Sequence, residues 1–301
     1  MKFPWRLFLY PQNFLWALVI MIFKLILLLP YKYQIRIARG LGKVLFYVNR
    51  KGRNVTLINL KQCFPLLSKK ERYDLAKKSY LSVGIGLIEL ALAWFGDKKK
   101  LPPITIYGKE LLEQSQANQK SILLISAHFH CLELVGRLIS EQLPICAVYR
   151  PQKIHFLDAL AKFYRKQTYQ EIISSQNLRH LIKALKNKRT VWYTADIDGG
   201  KKNSIFSDFF GIPTATLSTT ARLAENKDTE CFTTFYYRKA DYSGYEVFFE
   251  PLSSSFPSGD PQKDVDFINK KIEAAIMKNP DQYLWQYKRF KTRPVGSKSF
   301  Y

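Results

Sequence analysis

Acidic side chains are scarce in this chain. Asp and Glu number 24 against 47 Lys and Arg in 301 residues, a formal net charge of +23. Such an excess calls for an anionic partner: nucleic acid, an anionic membrane surface or an acidic substrate. No nucleic-acid-binding module is recognisable. Cysteine is scarce too. Cys63, Cys131, Cys146 and Cys231 are far apart with no C-x-x-C pair, which excludes a disulfide framework or a zinc ribbon and places the body of the chain in a reducing compartment. Cys131 reads as a small packed side chain. There is no G-x-S-x-G elbow for a serine hydrolase, no third ligand beside His128 and His130 for a zinc ion, no internal repeat and no linker long enough to divide the chain.

Nor is there an apolar run of the roughly 20 residues that a membrane span takes. The longest, FLWALVIMIFKLILLL at 14–29, is broken by Lys24. Pro30-Tyr31-Lys32-Tyr33 follows it in place of a small-residue cleavage site, which excludes a secretory signal. Trp5, Tyr10, Trp16, Tyr31 and Tyr33 decorate its ends, as aromatic residues do at a membrane interface. Three readings stay open: a tilted transmembrane anchor, a helix lying in one leaflet, or a buried core helix, for which the aromatic and basic flanks would have no use. Lys32, Arg36, Arg39, Lys43, Arg50, Lys51 and Arg53 downstream place the body on the cytoplasmic side. The expected division is a membrane anchor over 1–33 and one domain over 34–301.

What the chain does have is alternation. Helical spacing covers 34–50, 54–62 and 69–95, the last opened by a capping signature, Ser68 and Glu71. Apolar β-branched runs at 104–107, 121–126, 145–149 and 191–194 alternate with helical stretches at 132–141, 155–168 and 176–187. Runs at 232–238 and 245–250 flank a turn and read as a hairpin, and a last helix spans about 263–277. The fold class expected is α/β: a mixed, largely parallel sheet flanked by helices, with an N-terminal hydrophobic membrane-anchoring helix.

The chemistry concentrates at strand ends, where open α/β sheets bind ligands. SILLISA runs into His128-Phe-His130-Cys-Leu-Glu133. On one helix, His128 and Glu133 would point about 140° apart, so they meet only if His128 precedes the helix. Glu133 would then orient the ring and leave its other nitrogen as a general base. His130 reads as a satisfied surface or pocket histidine. Arg150 ends the next strand, in VYRP. TADIDGGKK ends another and carries Asp196, Asp198, Lys201 and Lys202. Either aspartate is a second candidate to assist the histidine, and Arg150, Lys201 and Lys202 are candidates to hold phosphates or carboxylates. Without a covalent nucleophile, this equipment suits direct acyl transfer from a thioester to a hydroxyl.

With HFHCLEL at 128–134, VYRP at 148–151, VWYTADIDGG at 191–200 and PDQYLWQYKRFKTRP at 280–294, the chain resembles the late acyltransferases of lipid A biosynthesis, the lauroyl/myristoyl group. NLKQCFP at 59–65 and SVGIGLIELALAWF at 82–95 are similar too, so the resemblance covers nearly the whole length. It implies transfer of a fatty acyl chain from acyl carrier protein, a co-substrate rather than a cofactor, to a hydroxyl on an acyl chain of a lipid A precursor, usually one bearing Kdo sugars. It also implies the cytoplasmic face of the inner membrane; with the zinc reading lacking ligands, no metal and no cofactor are expected. The family's His-x4-Asp/Glu pair falls on His128 and Glu133, its strand-end arginine on Arg150 and its later acid on Asp196 or Asp198; some relatives give the histidine's partner to that later acid. His130 departs from the family pattern and leaves two histidines to choose between. Arg289, Lys291 and Arg293 are candidates for phosphate binding or for adhesion to anionic lipid. Two rival readings are acyl transfer to another glycolipid or glycerolipid, and a non-enzymatic basic protein that binds anionic lipid or nucleic acid.

Overall fold

The computed structural model describes residues 3–202 and 204–301; the first two residues of the expected anchor lie outside them. The helices are α1 (Phe14–Ile26), α2 (Tyr31–Val48), α3 (Arg50–Cys63), α4 (Lys69–Phe95), α5 (Lys109–Ala117), α6 (Leu132–Ser140), α7 (His155–Thr168), α8 (Leu178–Lys186), α9 (Thr219–Ala224) and α10 (Pro261–Lys278). The strands are β1 (Ile104–Tyr107), β2 (Ser121–Ser126), β3 (Ile145–Tyr149), β4 (Glu171–Ser174), β5 (Thr190–Thr194), β6 (Ser204–Phe209), β7 (Ile212–Leu217), β8 (Thr229–Arg238) and β9 (Tyr245–Pro251).

Seven strands form one sheet in the order β1-β9-β8-β2-β5-β3-β4. Its neighbours are parallel except for the antiparallel pair β8 and β9. This is the mixed, largely parallel α/β sheet that the alternation implies. β2 is buried at every position because helices cover both faces of a parallel sheet and leave no side for water. β6 and β7 form a separate antiparallel hairpin.

α4 is the organising helix of the N-terminal part. Ser68 and Glu71 close the expected capping box: Glu71 N–H donates to Ser68 Oγ at 3.2 Å, and Ser68 N–H to Glu71 Oε2 at 2.7 Å. Among the described residues it is the one helix long and apolar enough to cross a membrane, yet 56% of its most apolar window is buried inside the molecule. Glycine lets it approach its neighbours: a Cβ on Gly84 would stand 2.2 Å from the Ala38 carbonyl oxygen of α2. A buried ion pair locks it to the sheet. Arg238 of β8 donates through Nε and Nη2 to the two Glu89 oxygens at 2.6 and 2.7 Å, and Tyr245 of β9 donates to Glu89 Oε1 at 2.5 Å.

Candidate functional site

In-register pairing of β2 with β5 builds the centre of the site. Ser126 lies beside Thr194, so the residues two further on, His128 and Asp196, come out side by side at the carboxyl edge of the sheet. The Asp196 carboxylate holds His128 twice. His128 N–H donates to Oδ2 at 2.9 Å, and Nδ1 lies 2.7 Å from Oδ1. A carboxylate only accepts, so Nδ1 carries a proton, and in the neutral ring Nε2 keeps its lone pair beside the Thr194 hydroxyl at 3.4 Å. Burial works against the charged ring, but the charge and hydrogen bond of Asp196 outweigh it and raise the His128 pKa above its ordinary value. Burial likewise works against the Asp196 anion, and His128 lowers its pKa on balance.

The carboxylate on the His128 ring is therefore Asp196 and not Glu133, which corrects the first of the two pairings that the sequence allows. Glu133 sits in the first turn of α6 and faces α4 and α7. Its Oε1 accepts from Trp94 Nε1 at 3.0 Å and from Arg165 Nε at 2.8 Å, while Oε2 accepts from Arg165 Nη2 at 2.6 Å. Burial opposes its charge, and the two-pronged guanidinium contact still keeps its pKa low. Arg165 escaped the sequence reading because nothing in its helical stretch marks it. Its signal is spatial: an arginine on the helix after β3, opposite an acid on the helix after β2.

His130 is fixed differently. Gln286 Nε2 donates to Ser79 Oγ at 3.1 Å, so Gln286 presents its oxygen to His130 Nε2, also at 3.1 Å. Nε2 then carries the proton, and Nδ1 is buried with no partner among the described residues. Burial first, with the charge of Arg238 adding to it, pushes the His130 pKa down to about 4, so the ring is neutral at pH 7.

The C-terminal segment supports the histidine loop from below. Leu284 N–H donates to the His128 carbonyl at 3.0 Å, and His130 N–H donates to the Gln282 carbonyl at 2.9 Å. Asp198 belongs to this support and not to a substrate site. Its carboxylate is filled by Gly200 N–H at 2.8 Å, Thr292 N–H at 2.7 Å and the Thr292 hydroxyl at 2.8 Å. Arg289 is 2% exposed and donates to the Ala215 carbonyl and Thr216, so it holds the β6–β7 hairpin and is closed to phosphates. Arg293 donates to the Pro213 carbonyl of the same hairpin. Lys201 and Lys202 stand exposed beyond Asp198, outside the cleft. Cys131 is fully buried and its thiol pKa is driven up, first by burial, as suits a packing side chain.

Three cavities converge here. A polar cleft of about 230 Å³ is lined by His128, Glu133, Arg150, Gln152, Arg165 and Thr194, so Arg150 shares a space with the histidine. A second cleft of about 370 Å³ touches the other side of His128 and runs past Val83, Leu87, Leu90 and His130. An apolar groove of about 580 Å³ lies between α1, α4 and α7, with Val19, Phe23, Leu87, Leu90, Trp94 and Arg165 among its walls. The groove shares Arg165 and Gln152 with the polar cleft, and Leu87 and Leu90 with the second. Chemically, the arrangement offers an imidazole nitrogen, two arginines and an apolar trough.

Comparison with known proteins agrees in kind. Residues 1–292 match the family model described as bacterial lipid A biosynthesis acyltransferase. The chain is 34% identical over 295 residues to a lipid A biosynthesis lauroyltransferase of Escherichia coli (strain K12), covering 97% of this chain and 96% of that protein. It is 33% identical over 298 residues to a lipid A biosynthesis palmitoleoyltransferase of the same organism, at 98% and 97% coverage. A lipid A biosynthesis myristoyltransferase, again from that strain, is 23% identical over 274 residues, at 90% and 85% coverage.

Proposed function

Since the chain belongs to the bacterial lipid A biosynthesis acyltransferase family, and is therefore an acyltransferase of lipid A biosynthesis, we propose that it moves a fatty acyl chain from acyl carrier protein to a hydroxyl on an acyl chain of a Kdo-bearing lipid A precursor, at the cytoplasmic face of the inner membrane. The observation that carries this reading is the His128–Asp196 pair, whose histidine lines a cationic cleft that shares Arg165 and Gln152 with an apolar groove.

His128 Nε2 takes the proton of the acceptor hydroxyl, and the oxygen attacks the thioester carbonyl. The positive charge of Arg150 and Arg165 faces the oxyanion that forms. The tetrahedral intermediate then collapses, the carbon–sulfur bond breaks, and His128 returns its proton to the leaving carrier thiolate. No covalent enzyme intermediate and no cofactor enter the sequence of steps. Asp196 holds the tautomer and stabilises the imidazolium. Glu133, expected to orient the histidine, instead orients Arg165, whose guanidinium it grips with two hydrogen bonds. The donor's tail lies in the apolar groove, and the second cleft takes the acceptor's acyl chain. Lys201 and Lys202 remain as surface charge for the anionic substrates. The +23 net charge suits all three anionic partners: the acidic carrier protein, the phosphorylated acceptor and the membrane.

The test is radiolabelled acyl transfer by the purified protein in detergent, across a panel of acceptors. Transfer to the Kdo-bearing tetra-acylated precursor, well above any other glycolipid or glycerolipid, is the expected result. Preferred transfer to a different lipid would overturn the acceptor assignment, and no transfer to any member of the panel would overturn the reading as a whole.

A further inference from the structure

We infer that the N-terminal segment is an in-plane membrane anchor: α1 lies along the headgroup–acyl boundary of an anionic bilayer, with both of its ends on the side of the catalytic body. This deepens the membrane part of the proposed function and is independent of which acyl chain moves.

Length is the first argument. The 13 residues of α1 rise about 20 Å, against a hydrocarbon core of about 30 Å. Tethering is the second. Ahead of α1, Phe3 packs edge-on against Phe163 with ring centroids 5.0 Å apart, and Phe8 against Phe156, also at 5.0 Å; both partners belong to α7. In its last turn, Lys24 lies 5.2 Å from the centre of the Phe95 ring of α4, and just behind it Gln34 Nε2 of α2 donates to the Leu29 carbonyl at 2.8 Å. α4 and α7 are joined in turn, Trp94 stacking on Tyr164 at 5.7 Å. A helix fastened at both ends to one body cannot have one end on the far side of a bilayer.

The faces are the third. Inward, Trp16, Val19, Ile20 and Phe23 wall the apolar groove. Outward, Phe14, Leu15, Leu18, Met21, Ile22 and Leu25 are 40% to 71% exposed, an uninterrupted apolar stripe at helical spacing. α2 continues the pattern: Tyr33, Ile37, Val44, Tyr47 and Val48 are 40% to 66% exposed, and exposed Lys32, Arg36, Arg39 and Lys43 interleave with them. An apolar stripe edged by cations matches the boundary of an anionic leaflet, and that charge complement favours lipid over a second copy of the same cationic surface. Anchored this way, the groove roofed by α1 lies at the depth where acyl chains reside.

Site-specific labelling tests this without using activity. The four native cysteines are buried, so the wild-type chain is a silent background. Gln12→Cys, just before α1, and Lys98→Cys, on the body, are both exposed positions. In sealed membrane vesicles of known orientation, a membrane-impermeant maleimide should label both from the same side. Labelling of Gln12→Cys from the opposite side, or only after detergent is added, would overturn the inference. Leu18→Glu and Ile22→Glu alter the outward face alone, and an unchanged melting temperature would show that they leave the core intact. Each should weaken flotation of the protein with vesicles containing anionic lipid by about tenfold or more. Unchanged flotation in both variants would equally overturn it, and a loss of self-association in them would assign the stripe to a second copy instead.

Discussion

At the scale of single residues, the decisive contrast is between two histidines two positions apart. His128 has a carboxylate on Nδ1 and only the Thr194 hydroxyl, at 3.4 Å, near Nε2; His130 has an amide oxygen on Nε2 and a buried Nδ1 with no partner among the described residues. A general base must be neutral to accept a proton. Asp196 raises the pKa of His128, so the acid limb of kcat/KM against pH should climb through a value above the usual histidine range of about 6.5. Asp196→Asn removes the anion that stabilises the imidazolium. The limb should then move to lower pH while the maximal rate falls about 10²- to 10⁴-fold. A limb that stays in place in this variant would mean that another group titrates there. Which acid serves His128 is a matter of register that single-sequence reading does not supply. HFHCLE and TADIDGG announce reactive strand ends, but only the pairing of Ser126 with Thr194 selects Asp196 over Asp198 and Glu133.

At the scale of elements, α4, α6 and α7 meet at the Glu133–Arg165–Trp94 cluster. Glu133 and Arg165 side chains are 12% and 20% exposed. Glu133→Gln would leave the guanidinium poorly matched, and thermal or denaturant unfolding should show a loss of about 3 kcal/mol, at the lower end of what breaking a buried pair costs. Arg165→Lys should lose activity even where it folds, since an ammonium cannot reproduce the planar fork. α1 and α4 also bound the groove. Val19→Trp, partly exposed and on its wall, should shift the preferred donor to a shorter chain and lower kcat/KM for the longest one about tenfold or more. An unchanged chain-length profile would remove the groove from the reaction.

Elements with a strong period were legible: the capped α4, β2, β3, β5 and the β8–β9 hairpin all lie close to where alternation and spacing put them. The elements left unread were α5, β4, α9 and the β6–β7 hairpin. β4 has four residues, too few to display a period. The β6–β7 hairpin turns through Phe210-Gly211, with Phe210 at a φ of 53° and Gly211 at 72°, in a Lys- and Ser-containing stretch that resembles loop. Its place is fixed by distant partners, Arg289 and Asn269, which no local window contains.

At the scale of the whole molecule, one design connects charge, membrane and site. The N-terminal helices turn an apolar, cation-edged face outward and close the groove on their inner side. The C-terminal segment props the histidine loop from below. Glu89 and Arg238, 1% and 4% exposed, clamp the helical part to the sheet between them. The family makes the chain an acyltransferase of lipid A biosynthesis, and the proposed mechanism stands on its base. The most direct measurement is mass spectrometry of the lipid product formed by the wild type, His128→Ala and His130→Ala from acyl-loaded carrier protein and the Kdo-bearing precursor. The prediction is one added acyl chain with the wild type, its loss by about 10²-fold or more with His128→Ala, and substantial retention with His130→Ala once folding is matched. Retained transfer with His128→Ala, or loss confined to His130→Ala, would contradict it.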